Sequence, residues 1–312
     1  MLAHLIIYLL SFAGVWIGSG LAIKSVERLS RTLKVSSFAI SFITLGFFTS
    51  IGELSVGLNS IIKNDPEIYV GNLIGATIVI FMLIIPLLAI LGNSIRITPE
   101  FKGFNLAASL VVISLPVILA MDGRVGRTDS YSVLILFTLL LISVQSRRGL
   151  IERLKSITPK PNIKLGKELV KIIFGLATIF ISSRFIVEQT LYFSNLLNIS
   201  PFLISLMAIS LGTNIPELSL VLRSAFIRNH QIAFGNYVGS AAFNTFLLGL
   251  LTLIYGDTVY LTNSYLVSLL FLIFGLIAFY YFARTKNTIS RLEGVFLLLI
   301  YLAFISTEII LH

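Results

Sequence analysis

The chain contains no cysteine, so neither disulfides nor thiolate metal sites can contribute to it. Charge is almost as scarce: 12% of the 312 residues are charged, where a soluble globular chain carries about 25%. Histidine is nearly absent, and His4, His230 and His312 fall at helix ends or chain ends, leaving no imidazole in the middle of an apolar run. What remains is 56% hydrophobic, with a mean hydropathy of +0.97. That composition excludes a soluble globular domain and describes a chain that crosses a membrane many times.

A spanning helix needs about 20 mostly apolar residues. Ten such segments are expected, near residues 3–23, 36–63, 67–93, 102–121, 128–146, 168–189, 199–227, 231–255, 262–283 and 290–310. Strands of a membrane barrel would alternate apolar and polar residues, and "IVIFMLIIPLLAIL" does not, so the expected fold is all helical. The first segment lacks a basic leader and keeps its small residues inside the apolar run, which reads as a helix rather than a cleaved signal. The net charge of +9 raises the question of a nucleic-acid partner. The distribution of the basic residues answers it: seventeen lie in alternate loops, and only Lys63, Arg124 and Arg127 lie in the others. This is the positive-inside bias, so the charge sets topology, both termini face outward, and the partner is the lipid bilayer.

The longest polar stretch, Arg147 to Lys167, reads as a cytoplasmic linker between a first half, 1–146, and a second half, 168–312. Five helices in each half require a repeated half to sit upside down relative to its twin. The repeat is visible in the residues. "TSIGELSVGLNS" at 49–60 matches "TNIPELSLVLRS" at 213–224 in seven of twelve positions, and "IYVGNLIG" at 68–75 matches "IAFGNYVG" at 232–239, both at an offset of 164 residues. The expected fold class is therefore an all-α membrane protein with ten transmembrane helices in two inverted five-helix repeats.

Packing alone does not call for a glutamate at the same depth in both copies, yet Glu53 and Glu217 lie mid-span in segments otherwise free of acids. A charge there costs at least a few kcal/mol, roughly 2.5–3.5 on insertion scales. Arg223 is the nearest basic residue to Glu217, almost two turns away. Two carboxylates without a fixed counter-charge are either protonated or paired with a mobile cation. Pro216 and its counterpart Gly52 weaken a helix, so both segments are expected to break and free carbonyls around Thr49 and Thr213. Irregular backbone at membrane depth is tolerated where it lines a cavity or holds an ion. Ser50, Asn214, Ser240 and Asn244 lie on the same paired segments. Carboxylate, carbonyl, hydroxyl and amide oxygens suit a hard cation, and Ca²⁺ takes roughly six to eight of them.

Paired "TSIGEL" and "GTNIPEL", followed by "GNLIGA" and "GNYVGS", resemble the two alpha-repeats of the calcium/cation antiporter superfamily, especially its prokaryotic sodium/calcium exchanger branch. The resemblance covers nearly the whole chain, with the first repeat at about 36–93 and the second at about 199–255. It implies a core built from the second and third helices of each half, across which the first and sixth helices slide. It also implies that Glu53 and Glu217 bind calcium, with backbone oxygens of Thr49 and Thr213 and the hydroxyl of Ser240. The chain departs from the pattern at five positions. Ile80 and Asn244 stand where such exchangers commonly have Asn and Asp, Ala76 where the first repeat commonly has Ser, and Phe48 with Gly52 where it has Gly and Pro.

Two carboxylates neutralise one Ca²⁺, and protons or two to three Na⁺ can neutralise the same pair. The expected function is exchange of Ca²⁺ for Na⁺ by a single chain, without a cofactor; exchange against H⁺, or of another divalent ion such as Mn²⁺, stays open. An intramembrane enzyme would need a nucleophile or a metal-bound water, and the spans hold no cysteine, histidine or mid-depth aspartate. A channel would gather its glutamates by symmetry from several subunits. Elsewhere, Gly14, Gly18 and Gly20 suit a close or sliding helix contact, Arg184 and Glu188 form a local pair, Pro86 and Pro116 mark kinks, "NIS" at 198–200 is an incidental sequon, and Glu308 should reach the membrane interface.

Overall fold

Local chemistry starts several of the helices. Ser200, in extended conformation, accepts a hydrogen bond from the Leu203 amide at 3.2 Å, and Pro201 follows at the first helical position. The "NIS" stretch is thus the start of a helix. Ser290 and Glu293 form a reciprocal cap, with the Ser290 amide donating to the Glu293 carboxylate at 2.7 Å. A computed structural model describes residues 1–32, 49–97, 103–146, 165–215, 217–218, 230–261 and 266–311.

Helices dominate. In chain order they are α1 Leu2–Thr32, α2 Ile51–Ile62, α3 Glu67–Leu91, α4 Phe104–Leu119, α5 Arg127–Ser146, α6 Leu165–Leu197, α7 Pro201–Thr213, α8 His230–Tyr255, α9 Leu266–Lys286 and α10 Arg291–Leu311. Among the described residues, seven helices are long and apolar enough to cross a membrane, which makes this an integral membrane protein. Helices α3 and α7 each contain one wider π-turn, Ile80–Ile84 and Ser205–Ile209. Such turns gather at functional sites. Pro86 opens the regular helix that follows the first of them. Of the expected spans, residues 36–48 and 219–227, and nearly all of the linker, lie outside the described residues, as do Phe48, Pro216 and Arg223.

Two expectations are corrected. The first and sixth spans were expected near 3–23 and 168–189; the apolar span Leu2–Ala22 matches the first although α1 runs for 31 residues, whereas the sixth extends over Gly166–Leu197 in a helix of 33. At about 1.5 Å per residue each exceeds the roughly 30 Å hydrocarbon core. The apolar stretch sets a span but not the helix end: Arg28, in the extension of α1, reaches Glu168 near the start of α6 at 3.3 Å, while in the extension of α6 Thr190 meets the Tyr8 hydroxyl at 3.0 Å and Tyr192 stacks on His4. Glu308 was expected to reach the interface. It is buried at 1% exposure and accepts a 2.8 Å hydrogen bond from Ser268, because α9 packs against that face of α10.

Helices α1 and α6 pack along each other. The position of Gly18 touches the Gly175 carbonyl, Gly175 in turn touches the Gly18 carbonyl, and Gly14 meets Ser182, so a side chain at these glycines would clash. Gly20 has open space around it, so two of the three glycines picked from the sequence form the seam. The apolar interior divides accordingly. One cluster joins α3, α4, α5, α7, α8, α9 and α10. A separate cluster joins α1 and α6 through Val15, Ile179 and Ile186 to Ile51, Val56, Ile68 and Ile209 of α2, α3 and α7. Outward faces carry Leu, Ile, Phe and Trp16, the pattern of a surface solvated by lipid.

Two short antiparallel ribbons close the loops. Strand β1, Ser94–Arg96, pairs with β4, Thr288–Ser290, and β2, Arg124–Val125, pairs with β3, Val259–Tyr260. Ile95 faces Ile289 and Val125 faces Val259. Each ribbon takes one strand from before residue 147 and one from after residue 164.

Candidate functional site

Between the two apolar clusters lies a buried polar layer on α2, α3, α7 and α8. The helical path is interrupted at Ser50 (φ −84°, ψ 9°) just before α2, and at Asn214 (φ −88°, ψ 9°) just after α7. Both residues occupy the sparsely populated bridge region, and they are 164 positions apart. The break was expected at Gly52 and Pro216. It lies two residues earlier in both; a proline disrupts the turn that precedes it, which accounts for Asn214, whereas Gly52 stays inside α2 and gives no such account of Ser50. Gly52 leaves space instead: a Cβ there would come within 3.3 Å of Val15 and 3.7 Å of Thr213.

Glu53 and Glu217 sit one turn beyond these interruptions, at 1% and 0% exposure, close enough for each charge to act on the other. Their supports are crossed. The Thr213 side chain lies beside the Glu53 carboxyl, and the Thr49 side chain beside that of Glu217. Ser240 on α8 ties the layer together: its hydroxyl lies 3.3 Å from Ser50 Oγ and 3.4 Å from Thr49 Oγ1, and donates to Glu217 Oε1 at 3.5 Å. Asn214 donates through Nδ2 to the Ser210 carbonyl at 2.8 Å, which leaves its oxygen facing elsewhere. Asn244 is fully buried one turn beyond Ser240, on the same side of α8.

Several polar atoms in this layer are unsatisfied. Among the described residues, Glu53 Oε2, Glu217 Oε2, Asn214 Oδ1, both amide atoms of Asn244 and Asn72 Nδ2 have no hydrogen-bond partner. Each such atom costs about 1–3 kcal/mol when buried. Neither glutamate pairs with a lysine or arginine among the described residues, where the ion pairs involve Arg28, Lys63, Arg124, Lys171 and Arg184. No group of three His, Cys, Asp or Glu exists among the described residues that could hold a metal by itself. The oxygen set is therefore two acids supplemented by hydroxyls and amides, chemistry that fits a hard cation.

All eight residues selected from the sequence, Thr49, Ser50, Glu53, Thr213, Asn214, Glu217, Ser240 and Asn244, are buried. Three contributors were missed. Asn72 accepts from Thr213 Oγ1 at 3.4 Å, Ser210 accepts from Asn214, and Tyr237 donates to the Glu217 carbonyl at 3.4 Å. The duplicated Gly-Asn pair was the available signal for Asn72. The glycines of that motif have a steric role: a Cβ on Gly71 would strike Ser205 and the Phe202 carbonyl, and one on Gly75 the Leu206 carbonyl, so they let α3 lie against α7. The positions equivalent to Ser240 and Asn244 in the first half are Ala76 and Ile80, both buried and apolar.

Toward the C-terminal end of α2 the layer is flanked by contacts from α2 to α6. Asn59 Nδ2 donates to Ser183 Oγ at 2.8 Å, and Lys63 meets Glu188 at 2.8 Å. Arg184 holds the same carboxylate at 3.2 Å, so the expected local pair is present and is joined by a third member.

Known proteins share this architecture. The chain is 25% identical to the sodium/calcium exchanger MaX1 of Methanosarcina acetivorans, over 97% of each chain. It is 26% identical to the inner membrane protein YrbG of Escherichia coli, over 79% of this chain and 80% of that one. The solved sodium-calcium exchanger NCX_Mj superposes with a TM-score of 0.69 at 24% identity, covering 98% of both chains, which shows a common fold. The sequence profile of the sodium/calcium exchanger protein family matches residues 3–144 and 167–309, nearly the full length, and the chain belongs to that family of membrane exchangers.

Proposed function

We propose that the protein is a secondary antiporter that exchanges Ca²⁺ for Na⁺ at one site formed by Glu53 and Glu217. The observation that carries this reading is the pair of fully buried, adjacent carboxylates with unsatisfied oxygens and no basic partner among the described residues. A divalent ion between them neutralises both, and the hydroxyls and amides of Thr49, Ser50, Thr213, Asn214, Ser240 and Asn244 supply further oxygens. Two Na⁺ neutralise the same carboxylates, so the two cargoes compete for one charge.

The division into halves 1–146 and 168–312, joined by the cytoplasmic linker 147–167, follows the same reading. Shifting by 164 residues carries α3 onto α8 and α5 onto α10, and turns the β1–β4 register into the β3–β2 register. That correspondence supports two inverted five-helix repeats and ten membrane crossings, with both termini outside. In this arrangement α2, α3, α7 and α8 bind the ion, and the α1–α6 pair shifts across them to open one side or the other. An empty site leaves two like charges in a low-dielectric interior and resists the shift; an occupied site permits it. Coupling arises from that difference.

One observation favours a second reading, exchange against protons. The layer holds only two acids, and Asn244, with both amide atoms unpartnered, stands where the related exchangers commonly carry an acid. Purified protein in sealed vesicles discriminates the two. Radioactive calcium uptake driven by an outward Na⁺ gradient supports the first reading, and uptake driven only by a pH gradient supports the second. Calcium flux independent of any opposing gradient, carried as unitary currents, would indicate a channel and overturn both.

A further inference from the structure

An apolar groove of about 350 Å³ runs between α4 and α9 on the lipid-facing surface, away from the ion site. Ala107, Val111, Ser114 and Ile118 form one wall, and Ile273, Ile277 and Tyr280 the other. The two helices are antiparallel, so Ala107 and Tyr280 mark the same end. Spacings of three and four residues place Ile273, Ile277, Tyr280 and Arg284 on one stripe of α9. The groove therefore ends beneath an arginine. The β1–β4 ribbon lies at that end and presents more basic residues: Arg96 pairs with Thr288, and Lys286 closes α9. Arg96, Arg284, Lys286 and Arg291 are all exposed. Among the described residues none of them forms an ion pair. Among the described residues the nearby acid is Glu293, occupied in capping α10 through the Ser290 amide and hydroxyl, at 2.7 and 2.8 Å.

We infer that this groove is a binding site for one anionic phospholipid, its acyl chain along α4 and α9 and its phosphate among Arg284, Lys286 and Arg96. Charge complementarity selects the occupant. A neutral lipid would fill the apolar wall equally well but would leave the basic end without a counter-ion, whereas a free phosphate would gain nothing from the wall. Each basic residue near an anionic headgroup contributes on the order of fivefold in affinity.

Native mass spectrometry of the full chain in a neutral detergent, titrated with phosphatidylglycerol or phosphatidylcholine, tests the site. The expected result is preferential retention of a single phosphatidylglycerol by the unaltered protein. R284Q/K286Q should weaken that retention by roughly tenfold or more. Ser114→Phe, which fills the groove without changing charge, should abolish it. Neither change touches the ion-binding layer, so calcium flux in vesicles verifies that both variants are folded. Equal retention of the two lipids, or an unchanged preference in R284Q/K286Q, would overturn the proposal. Loss in R284Q/K286Q but full retention in Ser114→Phe would show headgroup attraction without a groove and would overturn it as well.

Discussion

The two halves of the molecule carry the same scaffold and unequal chemistry. Around Glu217 the second half supplies Ser240, which joins three side chains, and Asn244 one turn further on. Around Glu53 the first half offers Ala76 and Ile80 at those positions, both sealed in the apolar interior. Yet the halves are not independent, because Thr213 supports Glu53 and Thr49 supports Glu217. The difference teaches that, under the proposed repeat, the carboxylates and the threonines beside them are kept in both copies, while the other proposed ligands differ. The site is symmetric in charge and asymmetric in coordination.

The strongest way to break the symmetry of charge is to remove one carboxylate. Glu53→Gln and Glu217→Gln should each reduce calcium exchange in vesicles by more than about 100-fold, since one remaining charge cannot neutralise a divalent ion in this interior. Full transport by either variant would refute the shared site. Gly18→Leu should come next. The close approach of Gly18 to the Gly175 backbone leaves no room for the side chain, so turnover should fall at least tenfold while calcium binding, measured calorimetrically, stays within about twofold, because Gly18 faces α6 rather than the carboxylates.

Smaller effects sharpen the asymmetry. Ser240→Ala should weaken calcium binding by roughly three- to tenfold, the loss of one hydroxyl contact, whereas adding a hydroxyl with Ala76→Ser should change it little or improve it. Equal losses at Thr49→Ala and Thr213→Ala would confirm the crossing; a loss at one alone would refute it. The smallest change is expected for Lys63→Gln, which removes the contact with Glu188 on α6. A partly exposed ion pair contributes about 0–1 kcal/mol, so turnover should shift by no more than about fivefold.

Much of this was legible in the residues. Apolar run lengths gave the class, and the repeat around Glu53 and Glu217 located the buried layer, because a charge at that depth must be offset by a bound proton or cation when no basic side chain stands beside it. What escaped the sequence depends on contacts between distant segments. Nothing local to Thr213 indicates that its hydroxyl serves the glutamate of the other half. The interruptions fall at Ser50 and Asn214, two positions before the residues that the sequence marks as helix breakers. Apolar content could not reveal that α1 and α6 continue past their spans, since Arg28 meets Glu168 in the one extension and Thr190 and Tyr192 meet Tyr8 and His4 in the other. Glu308 misled because nearness to the chain end says nothing of what packs over it.

The ribbons have a mechanical consequence. Each ties a loop of one half to a loop of the other, and the shared apolar cluster that they flank includes neither α1 nor α6. The halves are laced together near the frame's loops, so they cannot part like a clamshell around a passing ion. In the proposed exchange, access changes by relative translation of the α1–α6 pair, and the glycine-lined seam between these helices lets the two travel as a single piece.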